Sequence, residues 1–293
     1  MAEREGYPER VIERDGYPEG VPCWVDSGRV SATAAKDFYG GLFGWEFENR
    51  SPEGFPPYFV AQIDGRDVAA LGEQEQQLDP PVWNTYVWVE DADATAAKAV
   101  AAGGEVQMSP MDAGTAGRFA ALADPTGASF CVWQANEHRG AQVVNEPNSW
   151  VSSELNTRDP KAAMKFYGKL FGWTTGTAEE EGYAMIYRPG YGDHLAQRDP
   201  GVYERLDGFG ADRSFADVVA YLVPITNGQF PPDSPSHWGI TFSVEDADAA
   251  AEWATELGGK VVVAPFDTDW TRTTILADPD GCMFTASKFT PPG

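Results

Sequence analysis

Apolar residues along this chain alternate between two periods. From Trp83 to Glu90, WNTYVWVE, bulky residues run at strand length, with successive side chains on opposite faces. Ala94 to Ala102 then predicts a helix, with Asp91 and Asp93 as cap candidates, stopped by Gly103-Gly104. Arg118–Asp124 and Ser129–Gln134 return to strand length around a Pro-Thr-Gly turn. Ser149 to Thr157, SWVSSELNT, predicts another strand, and Asp159 and Pro160 suit a helix start. Ala162, Ala163, Phe166, Tyr167 and Leu170 recur at three- and four-residue spacing, the mark of an amphipathic helix. Gly172 ends it and Trp173 begins the next strand; Ala34 to Phe43 and Gly44 do the same earlier.

The pattern is duplicated. FYGGLFGW (Phe38–Trp45) returns as FYGKLFGW (Phe166–Trp173), VEDADA (Val89–Ala94) at Val244–Ala249, and ADPTG (Ala123–Gly127) as ADPDG (Ala277–Gly281). Gly103-Gly104-Glu105-Val106 matches Gly258-Gly259-Lys260-Val261 in the same order. The offset grows from 128 at the first string to 155 at the second, so the second half holds about 27 extra residues after Trp173. An excursion of that length inside a compact unit suits a lid or binding loop. The units this predicts are an N-terminal extension (1–21), a first domain (22–136), a polar linker (137–148) and a second domain (149–289) with an insertion near 188–222. The extension repeats REGYPE and RDGYPE and fits neither domain.

Each half reads strand–helix–strands twice. With FYxxLFGW after the first helix, VxDxDA before the second and ADPxG before the last strand, the chain resembles the vicinal oxygen chelate superfamily, which includes glyoxalase I, extradiol dioxygenases and bleomycin-resistance proteins. The strings Val21-Pro22-Cys23-Trp24 and Ser149 to Pro160 resemble tandem-domain actinobacterial members of glyoxalase-like or hydroxylase type. The resemblance implies an α+β fold of two tandem domains. Each would be a pair of βαβββ modules forming a cupped mixed sheet with helices on its outer face. Fold does not decide function.

Metal-dependent members of that superfamily place His and Glu ligands on the first strand, the fifth strand and the last strand, the last four residues after the Gly of DPxG. Here those slots fall near Trp24, Asn84 and Cys131 in the first half, and near Ser152, Gly239 and Thr285 in the second. The chain has three histidines, His138 in the linker, His194 in the insertion and His237 near the fifth strand. Neither half assembles a His/His/Glu set from these strand positions, so no metal is expected. Glu154 with His237 is the nearest approach to a partial site.

Alternation assigns Trp24, Asp26, Asn84, Tyr86, Trp88, Cys131 and Trp133 to the first cup, and Ser152, Glu154, Asn156, His237, Thr241, Ser243, Met283 and Thr285 to the second. Val87, Val89, Leu155, Ile240, Phe242 and Val244 should face the helices. Arg118 and Arg272 hold equivalent positions, where they pair with acids across the cup or meet a ligand anion. Large aromatics with a few polar anchors suit a flat organic ligand. Trp24 and Trp88 are the expected stacking residues.

Other chemistry is sparse. There is no G-x-G-x-x-G or GxxxxGK nucleotide loop, and no cofactor is expected. Cys23, Cys131 and Cys282 form no CxxC pair and read as reduced, buried thiols. A formal net charge of −24 repels nucleic acid and anionic lipid. No apolar run approaches the roughly 20 residues that cross a bilayer, and the charged N-terminus is unlike a signal peptide. A cytoplasmic location is expected. The leading expectation is a metal-independent binding protein for a hydrophobic, aromatic metabolite of antibiotic or polyketide type, which it sequesters or presents to a tailoring enzyme. The alternatives are a metal-independent enzyme using Asp26 or Glu154 for proton transfer, and a metal-dependent glyoxalase or dioxygenase.

Overall fold

The computed structural model describes residues 13–51, 53–75, 80–176, 183–226 and 230–290. The first half runs β1 (Pro22–Arg29), α1 (Thr33–Phe43), β2 (Glu46–Asn49), β3 (Tyr58–Ile63), β4 (Arg66–Glu73), β5 (Trp83–Trp88), α2 (Ala92–Ala102), β6 (Glu105–Asp112), β7 (Gly117–Ala123) and β8 (Ser129–Ala135). The second runs β9 (Trp150–Thr157), α3 (Pro160–Phe171), β10 (Thr174–Thr175), β11 (Ala184–Tyr187), α4 (Tyr191–Arg198), α5 (Val202–Gly208), a 3-10 turn (Arg213–Asp217), β12 (Val218–Pro224), β13 (His237–Ser243), α6 (Ala247–Glu256), β14 (Lys260–Asp267), β15 (Thr271–Ala277) and β16 (Met283–Phe289).

Each half forms one eight-stranded mixed sheet, ordered β2-β3-β4-β1-β5-β8-β7-β6 and β10-β11-β12-β9-β13-β16-β15-β14. The fold is the α+β tandem arrangement of paired βαβββ modules. Local chemistry sets the helix ends. Asp91 and Asp159 each accept a bond from the third residue on, and Gly44 and Gly172 stop α1 and α3 in the left-handed conformation. Asp93, the other cap candidate, lies inside the first turn of α2 instead.

The helix-facing residues expected from alternation are all buried. What alternation does not convey is that the two sheets share their helices. Phe38 and Phe43 of α1 pack on Phe284 and Phe242 of the second sheet, with centroids 6.2 and 5.1 Å apart. Phe166 and Tyr167 of α3 pack on Phe130 of the first, at 6.0 and 5.3 Å. In each repeated Gly-Gly pair the first glycine, Gly103 or Gly258, ends a helix with positive φ, and the second is hemmed in by a strand carbonyl of its own half and by the exchanged helix. A Cβ on Gly104 would stand 2.7 Å from Phe166, and one on Gly259 2.7 Å from Phe38. A fully buried ion pair, Arg29 to Asp278 at 2.6 Å, also joins the halves.

Residues 13–20 lie along the rest of the chain. Tyr17 donates to the Ala141 carbonyl at 2.6 Å, Asp15 pairs with Arg198, and Trp173 donates to the Gly20 carbonyl at 2.6 Å. Residues 1–12, the rest of the expected extension except Val21, lie outside the described residues. Between β11 and β12 stand α4, α5 and the 3-10 turn, where β3 and β4 are joined by Asp64-Gly65 alone. No helix among the described residues is long and apolar enough to cross a membrane.

Candidate functional site

Strand register places one carboxyl at the centre of each cup. Asp26 on β1 is opposite Asn84 of β5 and beside Ala70 of β4. Glu154 on β9 is opposite Gly239 of β13 and beside Tyr221 of β12. The remaining equivalences follow: Trp24 with Ser152, Tyr86 with Thr241, Cys131 with Thr285, Trp88 with Ser243. At the Trp24, Trp88, Asn84 and Tyr86 positions the second cup carries the smaller residue.

The first cup is filled by its own side chains. Asp26 accepts from Asn84 Nδ2 at 2.9 Å, Tyr86 OH at 2.8 Å and Tyr58 OH at 3.0 Å, and Trp24 Nε1 donates to Tyr58 at 2.9 Å. Trp24 is only 2% exposed, and Asp26, Tyr86, Cys131 and Trp133 are buried with it. The linker closes the space. His138 packs edge-on against Trp24 at 4.4 Å and Trp133 at 5.6 Å, and its carbonyl accepts from Trp133 Nε1. Arg139 lies over Trp88, with Tyr17 nearby.

Burial raises Asp26 above the usual carboxylate range, against its three hydrogen bonds. Burial also lowers His138 to about 4, against the pull of Asp67. Cys131 is pushed up by burial and by the Asp26 charge, which keeps it a protonated, unreactive thiol.

The second cup keeps its carboxyl but not the packing around it. Ser152 Oγ and Thr241 Oγ1 both donate to Glu154 Oε1, at 2.5 and 2.8 Å. Burial raises Glu154 to about 7, opposed by those two bonds. Tyr183 and Tyr221 stack beside it, centroids 5.0 Å apart and planes at 21°. Tyr221 is pushed up to about 12, by burial and then by the Glu154 charge. Tyr183 is 60% exposed and Met283 is 53% exposed. Phe289, at the end of β16, stacks with Trp270 at 6.2 Å and meets Phe209 of the α5 segment at 5.8 Å. Tyr183, stacked on the β12 side of Glu154, and Met283, on the strand beyond Gly239, are thus left exposed.

Several expected site residues lie elsewhere or bond differently. His237 does not pair with Glu154: its Nδ1 lies 2.9 Å from the Pro235 carbonyl, and it stands opposite Asn156 rather than Glu154. Asn156 donates to the backbone carbonyl of Glu154 at 3.1 Å. Arg118 does not reach across the cup. Its neighbours Phe119 and Ala121 align with the cup positions Trp133 and Cys131, so alternation turns Arg118 to the helix side. There it holds Asp93 and Asp112, as Arg272 holds Asp248 and Asp267. Thr285 aligns with Thr241, as register requires. Tyr58, Tyr183 and Tyr221 escaped the sequence reading. Tyr221 fell within the expected insertion, and the strand that carries it was not anticipated.

A divalent metal needs several donors converging on one point. The slots opposite Asp26 and Glu154 hold Asn84 and Gly239, and Glu154 is met by hydroxyls. Among the described residues no group of three His, Cys, Asp or Glu stands close enough to share an ion. The donor set of neither cup fits a metal.

A duplicated βαβββ pair, cupped around one carboxyl per half, buried in the first and half-buried in the second, defines a class of tandem-module proteins with two candidate ligand cups. The chain belongs to the Glyoxalase/Bleomycin resistance protein/Dioxygenase superfamily, whose family model matches residues 29–132 and 149–285. CFP32 of Mycobacterium bovis, which bears a glyoxylase name, is 36% identical over 278 residues, covering 93% of this chain and 96% of that protein. The anthracycline biosynthesis protein DnrV of Streptomyces peucetius is 34% identical over 281 residues, covering 90% and 92%. Among solved structures, the 2,3-dioxygenase LapB of Pseudomonas sp. KL28 superposes with a TM-score of 0.59 at 13% identity, covering 94% of this chain and 95% of that one. The Mn(II)-bound glyoxalase of Novosphingobium aromaticivorans gives 0.57 at 16% identity, covering 95% and 82%. At such identities these two establish the fold alone.

Proposed function

We propose that this chain is a metal-independent binding protein for a flat, largely apolar aromatic metabolite, held in the second cup. The observation that carries this reading is the contrast between the cups. The first satisfies Asp26 with three of its own side chains and is covered by the linker. The second leaves the stacked Tyr183 beside Glu154 and Met283 beyond Gly239 exposed. Stacking surface with a single polar anchor is the composition of a site for a flat ligand. The relatives named for anthracycline biosynthesis support a polycyclic, polyketide-type compound. The protein would sequester that compound or present it to a tailoring enzyme.

The reading is tested by titrating chelator-treated protein with a planar polycyclic quinone. We expect saturable binding that Tyr221→Ala weakens by about 1–3 kcal/mol, the loss expected for a stacked ring. Unchanged affinity in the folded variant would remove the second cup as the site. A second reading, proton transfer by Glu154, is favoured by one observation, a carboxyl held near pH 7 inside an aromatic cup. Turnover by the chelator-treated protein that is lost in Glu154→Gln would support it over binding alone.

A further inference from the structure

The two carboxyls differ in how their oxygens are used. In the first cup both oxygens of Asp26 are engaged, Oδ1 by Asn84 and Oδ2 by Tyr58 and Tyr86. In the second, both hydroxyl donors converge on Glu154 Oε1. No described residue donates to Oε2.

The residue that would cover Oε2 is also missing. Asn84, which donates to Asp26, is replaced at the same register by Gly239. A Cβ built on Gly239 would lie 3.8 Å from Glu154 Oε2 and 3.3 Å from Asn156 Nδ2. The first is ordinary van der Waals contact; the second is tight and requires the Asn156 side chain to give by a few tenths of an ångström. No backbone demand calls for glycine here, since its φ is not positive, and the one close neighbour of a methyl group would be the amide end of the Asn156 side chain. The absent side chain leaves a notch beside Glu154 Oε2 on its β13 side, and the stacked Tyr221 and Tyr183 stand on its opposite, β12 side.

Building on the binding role proposed above, we propose that this notch is a subsite for a hydroxyl group on the aromatic ligand. That hydroxyl donates to Glu154 Oε2 and takes the place that the Asn84 amide occupies in the first cup. The ligand class narrows accordingly from flat aromatics to phenols and enols, with the O–H at the edge of a ring that lies against Tyr221. The contact forms and breaks no covalent bond, so the ligand leaves as it entered.

The test uses a matched pair of probes, 2-naphthol and 2-methoxynaphthalene, which differ in one hydrogen-bond donor. Both are titrated into the full chain at about pH 8, above the Glu154 value and below the range where a phenol loses its proton. One hydrogen bond to a charged acceptor predicts a preference for the naphthol of about tenfold or more. In Gly239→Ala and in Gly239→Asn the preference should fall below about twofold. The asparagine variant restores the side chain that the first cup carries at this register, and its unfolding midpoint reports whether the cup is intact. Equal binding of the two probes to the wild type would overturn the subsite and leave the binding role standing. So would a preference that survives in either folded variant. No saturable binding of either probe would overturn the binding role and the subsite together.

Discussion

The two cups descend from one pattern and differ in what fills them. In the first, Trp24, Asn84 and Tyr86 surround a carboxyl that three internal donors satisfy. In the second, Ser152, Gly239 and Thr241 occupy those places, and apolar surface stays uncovered. The same strand positions thus build a packed core in one half and carry smaller residues beside a half-buried carboxyl in the other. Duplication allows this division: one half can hold the fold while the other is free to hold a ligand.

The comparison can be broken by moving bulk between the cups. Truncating Trp24, a buried side chain, to alanine should destabilise the protein by about 3–5 kcal/mol, the range for a large aromatic lost from a core. Ligand affinity should stay unchanged in urea titrations and binding assays run side by side. Weakened binding with unaltered stability would give the first cup the role assigned to the second.

Titration sharpens the contrast. His138 is held down to about 4, so its contribution to stability is complete above its ordinary value of 6.5 and drains away as pH falls toward 4. Glu154 is held up to about 7, so its contribution is complete below its ordinary value of 4.5 and is lost as pH rises through 7. In melting profiles, His138→Gln should flatten the acid side and Glu154→Gln the approach to neutrality. If each variant merely shifts the whole profile, the environments described for these groups are wrong.

The smallest effect is expected at the two arginines that the sequence left open between pairing with acids and meeting a ligand anion. Arg118 and Arg272 make solvent-screened pairs with acids at the starts of α2 and α6. Alanine at either position should move the melting midpoint slightly and leave ligand affinity alone. A large loss of affinity would return Arg118 to the site.

The fold was legible because hydrophobic period and paired motifs act locally and appear twice. Alternation also placed Asp26, Glu154, Asn84, Tyr86 and Thr241 on the cup faces correctly. Two things were not legible. Whether an aromatic on a cup face is lining or core depends on what covers it, and the cover of Trp24 is His138, which is 114 positions away in sequence. The partners of Arg118 likewise depend on which face of β7 it occupies, and a single register step reverses that. Tyr221 was hidden because its strand follows a stretch that differs in length between the halves.

The most direct test of the division between the cups is a crystal structure of the protein soaked with 2-naphthol. One molecule per chain is expected, against Tyr221, with its hydroxyl on Glu154 Oε2. A molecule lodged beside Trp24 and Asp26 in the first cup, with the second left empty, would contradict that division.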